Sequence, residues 1–448
     1  MPRRNLLLIL LVAAASLLCH RQADQNRYTA TLSEVISLIH YRYVEDIPPR
    51  ELYENAMKGL AEGLDPYSAY IKPAEYRQLM EDLVQEFGGI GVAVELNPDT
   101  KRLTVMAPLA NTPAARAGMK AGDLILKIDG RDTLHLLLKD TVNLIQGKPG
   151  SIVRLTVLHA GEKEPVELTL ERAIIQLESV YGETRQADGK WSFLLPEHPP
   201  ITYVRILTFG EKTVVELTKV LQDQPVEALL IDLRDDAGGL FAAAVGMCEM
   251  FVPQGEIVST RGRGGKVLRT YTASGKTVLD PQVPMAVLVN HYSASASEVV
   301  AACLQDHGRA KIIGQRTWGK GTVQNIFSLE AGKAALKLTT AGYWRPSGKN
   351  IHRLRGVKDD ADWGVKPDPG FEVVMTDEEA NQVRKQRHQR DAGRGAIKPD
   401  AVNKENGNDA QDSQANGKGG KDSKPFEDPQ LRQAIEYLES QLKSPSAK

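Results

Sequence analysis

The sequence predicts an α/β core of crossover βα units, with a β-rich domain inserted ahead of it and a helical module at the front. Three observations carry this prediction. Between about 174 and 375, apolar runs at 228–233, 285–290 and 311–314 alternate with helical patterns at 240–251 and 297–305, as strands joined by crossover helices do. Between 86 and 173 the runs are short and bounded by turn residues, giving strands at 92–96, 103–107, 124–128 and 153–158. Ahead of these, Leu32, Val35, Ile36, Ile39 and Tyr43 recur at helical spacing, and so do Leu52, Ala56, Met57 and Leu60.

The chain has 448 residues, enough for roughly two to four domains. With 42% hydrophobic and 25% charged residues it has the profile of a water-soluble globular protein, and a net charge of -1 excludes bulk attraction to nucleic acid. Arg3 and Arg4 precede an uncharged apolar run over 6–18 with the small residues Ala13, Ala14, Ala15 and Ser16 near its end. That is the layout of an export signal, so 1–23 reads as a signal peptide or an N-terminal anchor, and the cell envelope or periplasm as the destination. Cys19 raises lipidation, but the bulky Leu18 before it argues for cleavage or anchoring instead. Only Cys248 and Cys303 follow, so no disulfide framework supports the fold.

The helical module spans 24–85, with Asp65-Pro66 breaking its periodicity before Tyr76, Leu79, Met80 and Leu83 resume it. The β-rich domain spans 86–173 and opens on Phe87-Gly88-Gly89-Ile90-Gly91. Gly89-Ile90-Gly91 lacks the third glycine of a dinucleotide fingerprint and precedes a strand rather than a helix, which excludes that reading. The α/β core spans 174–375. From 376 to 427 the composition turns to Lys, Asp, Asn, Gln and Gly, too polar to offset chain ordering by burial, and the expectation is a disordered linker. In the last segment, 428–448, Leu431, Ile435, Leu438 and Leu442 form a helical stripe that needs a partner in this chain or another.

The chemistry concentrates in three loops. Ser293-Ala294-Ser295-Ala296-Ser297-Glu298 follows a buried strand and opens a helix, whose free amides favour negative charge. Such a run alone is more often structural, because serine caps helices well. Twenty-five residues on, Lys320 lies between Gly319 and Gly321. Gly314-Gln315-Arg316-Thr317-Trp318-Gly319-Lys320 imitates a phosphate-binding loop, but Gly321 replaces the required Ser or Thr and a strand pattern follows in place of a helix. A serine with a neutral lysine as its base makes a nucleophile. The third loop, Asp232-Leu233-Arg234-Asp235-Asp236-Ala237-Gly238-Gly239, can present backbone N–H groups outward as an oxyanion hole requires. His291, four residues before Ser295, is the rival base; without a G-x-S-x-G elbow around the serine it ranks second.

Taken together, these loops closely resemble the C-terminal processing peptidases, or tail-specific proteases, of peptidase family S41. The resemblance runs from about 50 to 375 and includes Leu64-Asp65-Pro66-Tyr67-Ser68-Ala69-Tyr70 and Pro346-Ser347-Gly348-Lys349-Asn350-Ile351. The inserted domain resembles a PDZ domain through its Gly-Ile-Gly loop and the Ala117-Gly118-Met119-Lys120-Ala121-Gly122-Asp123 segment. The resemblance implies a ClpP/crotonase-like core and a serine-type endopeptidase without a cofactor or metal. It assigns Ser295 as nucleophile, Lys320 as general base and Gln324 as the residue that orients the lysine amine. Gly238 and the amide of Ala296 become the oxyanion hole, with the choice between Gly238 and Gly239 open. Gly89, Ile90, Gly91 and Val92 become the peptide-binding loop of the PDZ domain, which captures a tail by strand addition. Asp236 departs from the family, which usually has Asn there. Implied partners are protein or peptide C-terminal tails, with an activating adaptor and self-association as open possibilities. The competing reading is a catalytically silent PDZ adaptor on a protease scaffold.

Overall fold

The structure, a computed structural model, describes residue 5 and residues 27–97, 101–109, 111–186, 190–354, 356–358, 360–392 and 426–443. The expected export signal and most of the expected linker lie outside them. The described chain divides into two units, one built from Met1–Arg77 and Gln324–Thr339 and the other from Gln78–Val323 and Thr340–Lys448. None of the described helices is long and apolar enough to cross a membrane.

In the first unit, helix α1 (27–42) leaves Tyr28, Leu32, Val35, Leu38 and Tyr41 exposed. Helix α2 (Pro49–Glu62) starts on a proline, whose missing N–H costs nothing at that position. Asp65 ends the helical run by accepting from the N–H groups of Tyr67 and Ser68, so the Asp-Pro break is an Asx turn. Strand β1 (Ala69–Ile71) follows, pairing antiparallel with residues 335–337. Helix α3 (Pro73–Val84) then crosses into the second unit.

The second unit begins with a stem. Strand β2 (Glu86–Gly89) pairs with β9 (Ala173–Gln176), and between them sits a closed β-domain. Its strands are β3 (Val92–Leu96), β4 (Leu103–Pro108), β5 (Leu124–Ile128), β6 (Arg131–Asp132), β7 (Ile152–Leu158) and β8 (Val166–Glu171), with short helix α4 (Pro113–Arg116) and helix α5 (Leu138–Ile145). The order β3-β4-β5-β7-β8 leaves β3 at one end of the sheet. Alternation along β4 and β7 turns Leu103, Val105, Val153, Leu155 and Val157 into the core with Ile90 and Ile125.

The α/β core follows. After β10 (Val180–Tyr181), the hairpin strands β11 (Thr184–Arg185) and β12 (Trp191–Ser192), and β13 (Leu194–Leu195), the chain enters β14 (His198–Ile206). Helix α6 (Thr213–Asp223) crosses to β15 (Ala228–Asp232), which leads into α7 (Phe241–Glu249). A second sheet contains β16 (Glu256–Arg261) and β17 (Val267–Thr272), and the chain returns through β18 (Met285–Val289), α8 (Ala296–Asp306) and β19 (Lys311–Gly314). Strands β14, β15, β18 and β19 are parallel and adjacent in that order. Strands β20 (Thr322–Leu329) and β21 (Ala334–Trp344) span the unit boundary, and the last part of β21 pairs with β16.

Period-two alternation splits the parallel sheet into two apolar faces. Val204, Leu229, Ile231, Val287 and Ile312 face the cluster that contains α6, α7 and α8 residues, while Tyr203, Leu230, Ala286, Leu288 and Ile313 face the other way. There the stripe at the C-terminal end finds its partner. Helix α10 (Pro429–Lys443) lays Ala434 and Leu438, both fully buried, on that face with Leu431, Ile435 and Leu442 around them.

One expectation is corrected. Residues 377–392, assigned by composition to the disordered linker, form helix α9 (Asp377–Ala392). Its anchors are ion pairs rather than an apolar face: Arg387 reaches the buried Asp232, and Asp391 receives Arg205. A hydropathy reading has no access to that kind of support.

Candidate active site

Ser295 stands at the head of α8, immediately after the loop that leaves the C-terminal end of β18. Its backbone is forced to φ 57° and ψ -111°, a left-handed conformation that costs a non-glycine residue about 1–3 kcal/mol and is held only where neighbours over-determine it. The sequence lacks the glycines of a hydrolase elbow, yet the turn is strained in the same sense. Glu298 supplies the over-determination. Fully buried at the third helical position, its Oε2 accepts the Ser295 N–H at 2.9 Å, and it also accepts the Lys320 N–H at 2.8 Å. Oε1 of the same carboxylate accepts the Gly319 N–H and the Thr317 hydroxyl, each at 2.6 Å. The Ser295 and Lys320 loops are thus pinned to one carboxylate, and the two backbone nitrogens lie no farther apart than their two bonds to Oε2 allow. Burial pushes the Glu298 carboxyl above its ordinary range, and the four donors work against that shift.

A second strap joins the same loops: the Trp318 N–H donates to the Ser293 carbonyl at 3.0 Å. Gly319 has φ 87°, and a side chain there would meet Arg353 and Trp363, so the lysine loop needs its glycine. Tyr343 in β21 completes the surroundings. Its N–H donates to the Gly321 carbonyl at 2.8 Å, its ring stacks on Phe241, and burial raises its phenol to about 12, with the Ser295 side chain acting against the shift.

The third loop arrives from the end of β15. Asp232 is fully buried and accepts from Arg234, Arg387 and the Tyr203 hydroxyl. Burial alone would raise its carboxyl; Arg234 and Arg387 override that and hold it below the usual carboxylate range. Beyond this anchor, Gly238 comes against Ser295. A Cβ built on Gly238 would stand 2.9 Å from Ser295 Cβ and 2.9 Å from the Ala296 nitrogen, whereas one on Gly239 would strike the Phe209 carbonyl at 2.2 Å. Gly238 is therefore the glycine that adjoins Ser295. Ala296 is the first residue of α8, where a helix offers N–H groups without intrahelical acceptors. The Gly238 N–H, however, turns inward and donates to Asp236 Oδ1 at 2.8 Å.

The other expected residues are placed as follows. Gln324 belongs to the first unit, where its amide donates to Thr339 Oγ1 at 3.1 Å. His291 is exposed and tilts against Tyr292, and the charges acting on its ring are Asp235, Arg384 and Asp377. In the β-domain, Gly89 ends β2, Ile90 is fully buried, Gly91 has φ 72° with Thr112 packed where a side chain would go, and Val92 opens β3. Sequence reasoning gave no role to Glu298 or Tyr343. The first had a signal, since Ser295-Ala296-Ser297-Glu298 is a capping box; the second, 48 residues from Ser295, had none.

Comparison with known proteins gives the family. Residues 200–368 match the profile of Peptidase family S41, and residues 104–159 match that of a PDZ domain. A carboxy-terminal-processing protease of Bartonella bacilliformis is 32% identical over 405 residues, covering 86% of this chain and 87% of the relative. A carboxyl-terminal-processing protease of Synechocystis sp. is 34% identical over 343 residues, 75% of each chain. Among solved structures, a photosystem II D1 C-terminal processing protease aligns with 29% identity and a TM-score of 0.41, covering 75% of this chain and 84% of its own. Fold, site and matches define one class, a serine-type peptidase with a PDZ domain ahead of its α/β core. Within that class, the chain belongs to peptidase family S41, the carboxy-terminal-processing proteases.

Proposed function

We propose that the protein is an exported endopeptidase in which Ser295 and Lys320 form the catalytic dyad, cutting envelope proteins at or near C-termini that its PDZ groove receives. The observation that carries the dyad is the shared carboxylate: Glu298 Oε2 accepts from the backbone of both residues. In the reaction a neutral Lys320 amine takes the Ser295 hydroxyl proton and the oxygen attacks the peptide carbonyl. The tetrahedral oxyanion forms beside Gly238 and the head of α8, where amide dipoles stabilise developing charge. Collapse expels the amine, which takes the proton from the lysine, and water then repeats the cycle on the acyl-enzyme. His291, exposed and turned to other charges, is left out.

Tail capture rests on β3, the end strand of its sheet, which can accept an extended peptide after the glycine turn at Gly91. We also infer that the PDZ domain gates activity once a tail is bound, which a route from the PDZ stem to the site supports. Gln85 Oε1 accepts the Lys212 N–H at 2.8 Å and Glu86 pairs with the Lys212 amine at 2.6 Å. A few residues earlier, the Phe209 N–H and the Thr208 hydroxyl donate to the Gly238 carbonyl at 3.0 and 3.1 Å. Export rests on the leading Arg3-Arg4 and apolar segment.

Digestion of an unstructured protein tests the dyad: Ser295→Ala and Lys320→Ala abolish cleavage, and His291→Ala does not. The reverse result for Lys320 and His291 overturns the assignment. Amidating the substrate's C-terminus tests tail capture and is expected to raise KM.

A further inference from the structure

We propose that Asp236 is a positioning residue for the oxyanion loop: its neutral carboxyl holds the Gly238 amide loosely in the inward position, and its ionisation locks that amide away from the substrate. The proposal rests on the reading of Gly238 as an oxyanion donor and goes beyond it by naming what sets the donor free. The side chain is fully buried, and Oδ1 accepts the Gly238 N–H at 2.8 Å. Oδ2 is also buried and has no hydrogen-bond partner among the described residues. An ionised carboxylate in such a place would leave several acceptor sites dry, whereas a protonated one carries its own O–H there.

Among the described residues, no charge compensates it. On its own loop, Asp235 turns to Asn290 and Arg387, and Arg234 is spent on Asp232 and Asp428. From α8, Glu298 faces the serine and lysine loops, and what α8 and its preceding loop offer Asp236 is the Ser297 hydroxyl and the Ala294 N–H, both bonded to its backbone carbonyl. From the 290–294 turn, His291 answers to Asp235, Arg384 and Asp377. Burial accordingly pushes the Asp236 carboxyl up to about 8, with the Gly238 hydrogen bond and the nearby Ser297 hydroxyl, itself bonded to the backbone carbonyl, opposing it only in part.

The local backbone permits the movement. The Gly238 carbonyl is fixed by Phe209 and Thr208, but the N–H belongs to the preceding peptide, and Gly238 has φ 100°, a conformation with wide freedom for glycine. With Asp236 neutral, an oxyanion on the substrate outcompetes a neutral carbonyl for that N–H. When the carboxyl gives its proton to solvent, the amide acquires a charge-assisted acceptor, roughly twice as strong, and the new anion lies beside the growing oxyanion.

The test is kcat/KM against pH for the parent and Asp236→Asn, using a peptide substrate without groups that titrate in the range and Ser295→Ala as the background control. The parent is expected to lose activity on the alkaline side, and the ratio of variant to parent to climb by about tenfold per pH unit above the titration. Parallel profiles overturn the proposal. Infrared difference spectra over the same titration provide a second measurement that does not depend on the variant's activity: a protonated-carboxyl band vanishing in the parent and missing from Asp236→Asn is expected, and no such band in the parent overturns it. Cleavage that survives Ser295→Ala is a distinct result and fails the site reading itself.

Discussion

Two fully buried carboxyls flank Ser295, and their hydrogen bonding could hardly differ more. Glu298 meets four donors, from Ser295, Thr317, Gly319 and Lys320, while Asp236 meets the Gly238 amide with one oxygen and, among the described residues, no partner with the other. Desolvation raises both. What separates them is the number of donors available to the charged form, because each hydrogen bond to a carboxylate offsets part of its lost hydration. Burial by itself therefore does not fix the role of an acidic residue. The satisfied carboxylate acts as a rigid brace, and the unsatisfied one is free to change state.

The comparison breaks most visibly at the brace. Glu298→Ala strips four donors of their acceptor in a site without solvent and should destabilise the fold by roughly 3 kcal/mol or more. Because the brace sets the distance between the serine and lysine loops, kcat should fall by about 100-fold or more with KM changed far less. Glu298→Gln keeps the volume but points an NH2 group at two of the donors, so it should recover folding better than turnover. Thermal unfolding and steady-state kinetics on the same preparations check both statements. A raised KM with kcat unchanged would show that the brace serves substrate binding instead.

The unsatisfied side should respond in the opposite direction. Folded Asp236 titrates at about 8, above the ordinary carboxylate range, so between that range and pH 8 the folded chain holds a proton that the unfolded chain has released. Stability therefore falls as pH rises through that window. Asp236→Asn removes the slope: its melting temperature should match the parent's near pH 4, rise above it towards pH 8, and hold a constant lead beyond, worth on the order of a few kcal/mol. A difference that is flat with pH would mean that Asp236 is already ionised in the folded protein.

How much of this was readable beforehand follows the same division. The parallel strands and α8 announced themselves through continuous apolar runs and period, and Ser295, Lys320 and the glycine loop through local motifs. The brace was half legible, since a Ser-x-x-Glu box predicts the bond from Glu298 back to Ser295. That its carboxylate would also collect Thr317, Gly319 and Lys320 depends on two loops meeting in space, which no local pattern encodes. Helix α9 was misread because its anchors, Arg387 on Asp232 and Asp391 on Arg205, look in sequence like any solvated charges. Asp236 could be seen as a departure from the family but not as a buried, half-bonded carboxyl.

The finest probe of the brace is Thr317. Its hydroxyl donates to Glu298 Oε1 at 2.6 Å and accepts the Val365 N–H at 2.7 Å, so it links the carboxylate to the segment behind the lysine loop. Thr317→Val keeps the shape and removes both bonds, leaving Glu298 with three donors and the Val365 N–H without its acceptor, at a cost of about 1–3 kcal/mol. Thr317→Ser restores the hydroxyl and should restore stability. If the donor count governs protonation, the valine variant also moves the Glu298 carboxyl upward, a step towards the condition of Asp236, and carboxyl-band infrared titration should register it. No movement would show that three donors already suffice, placing the threshold between brace and switch closer to the single bond of Asp236.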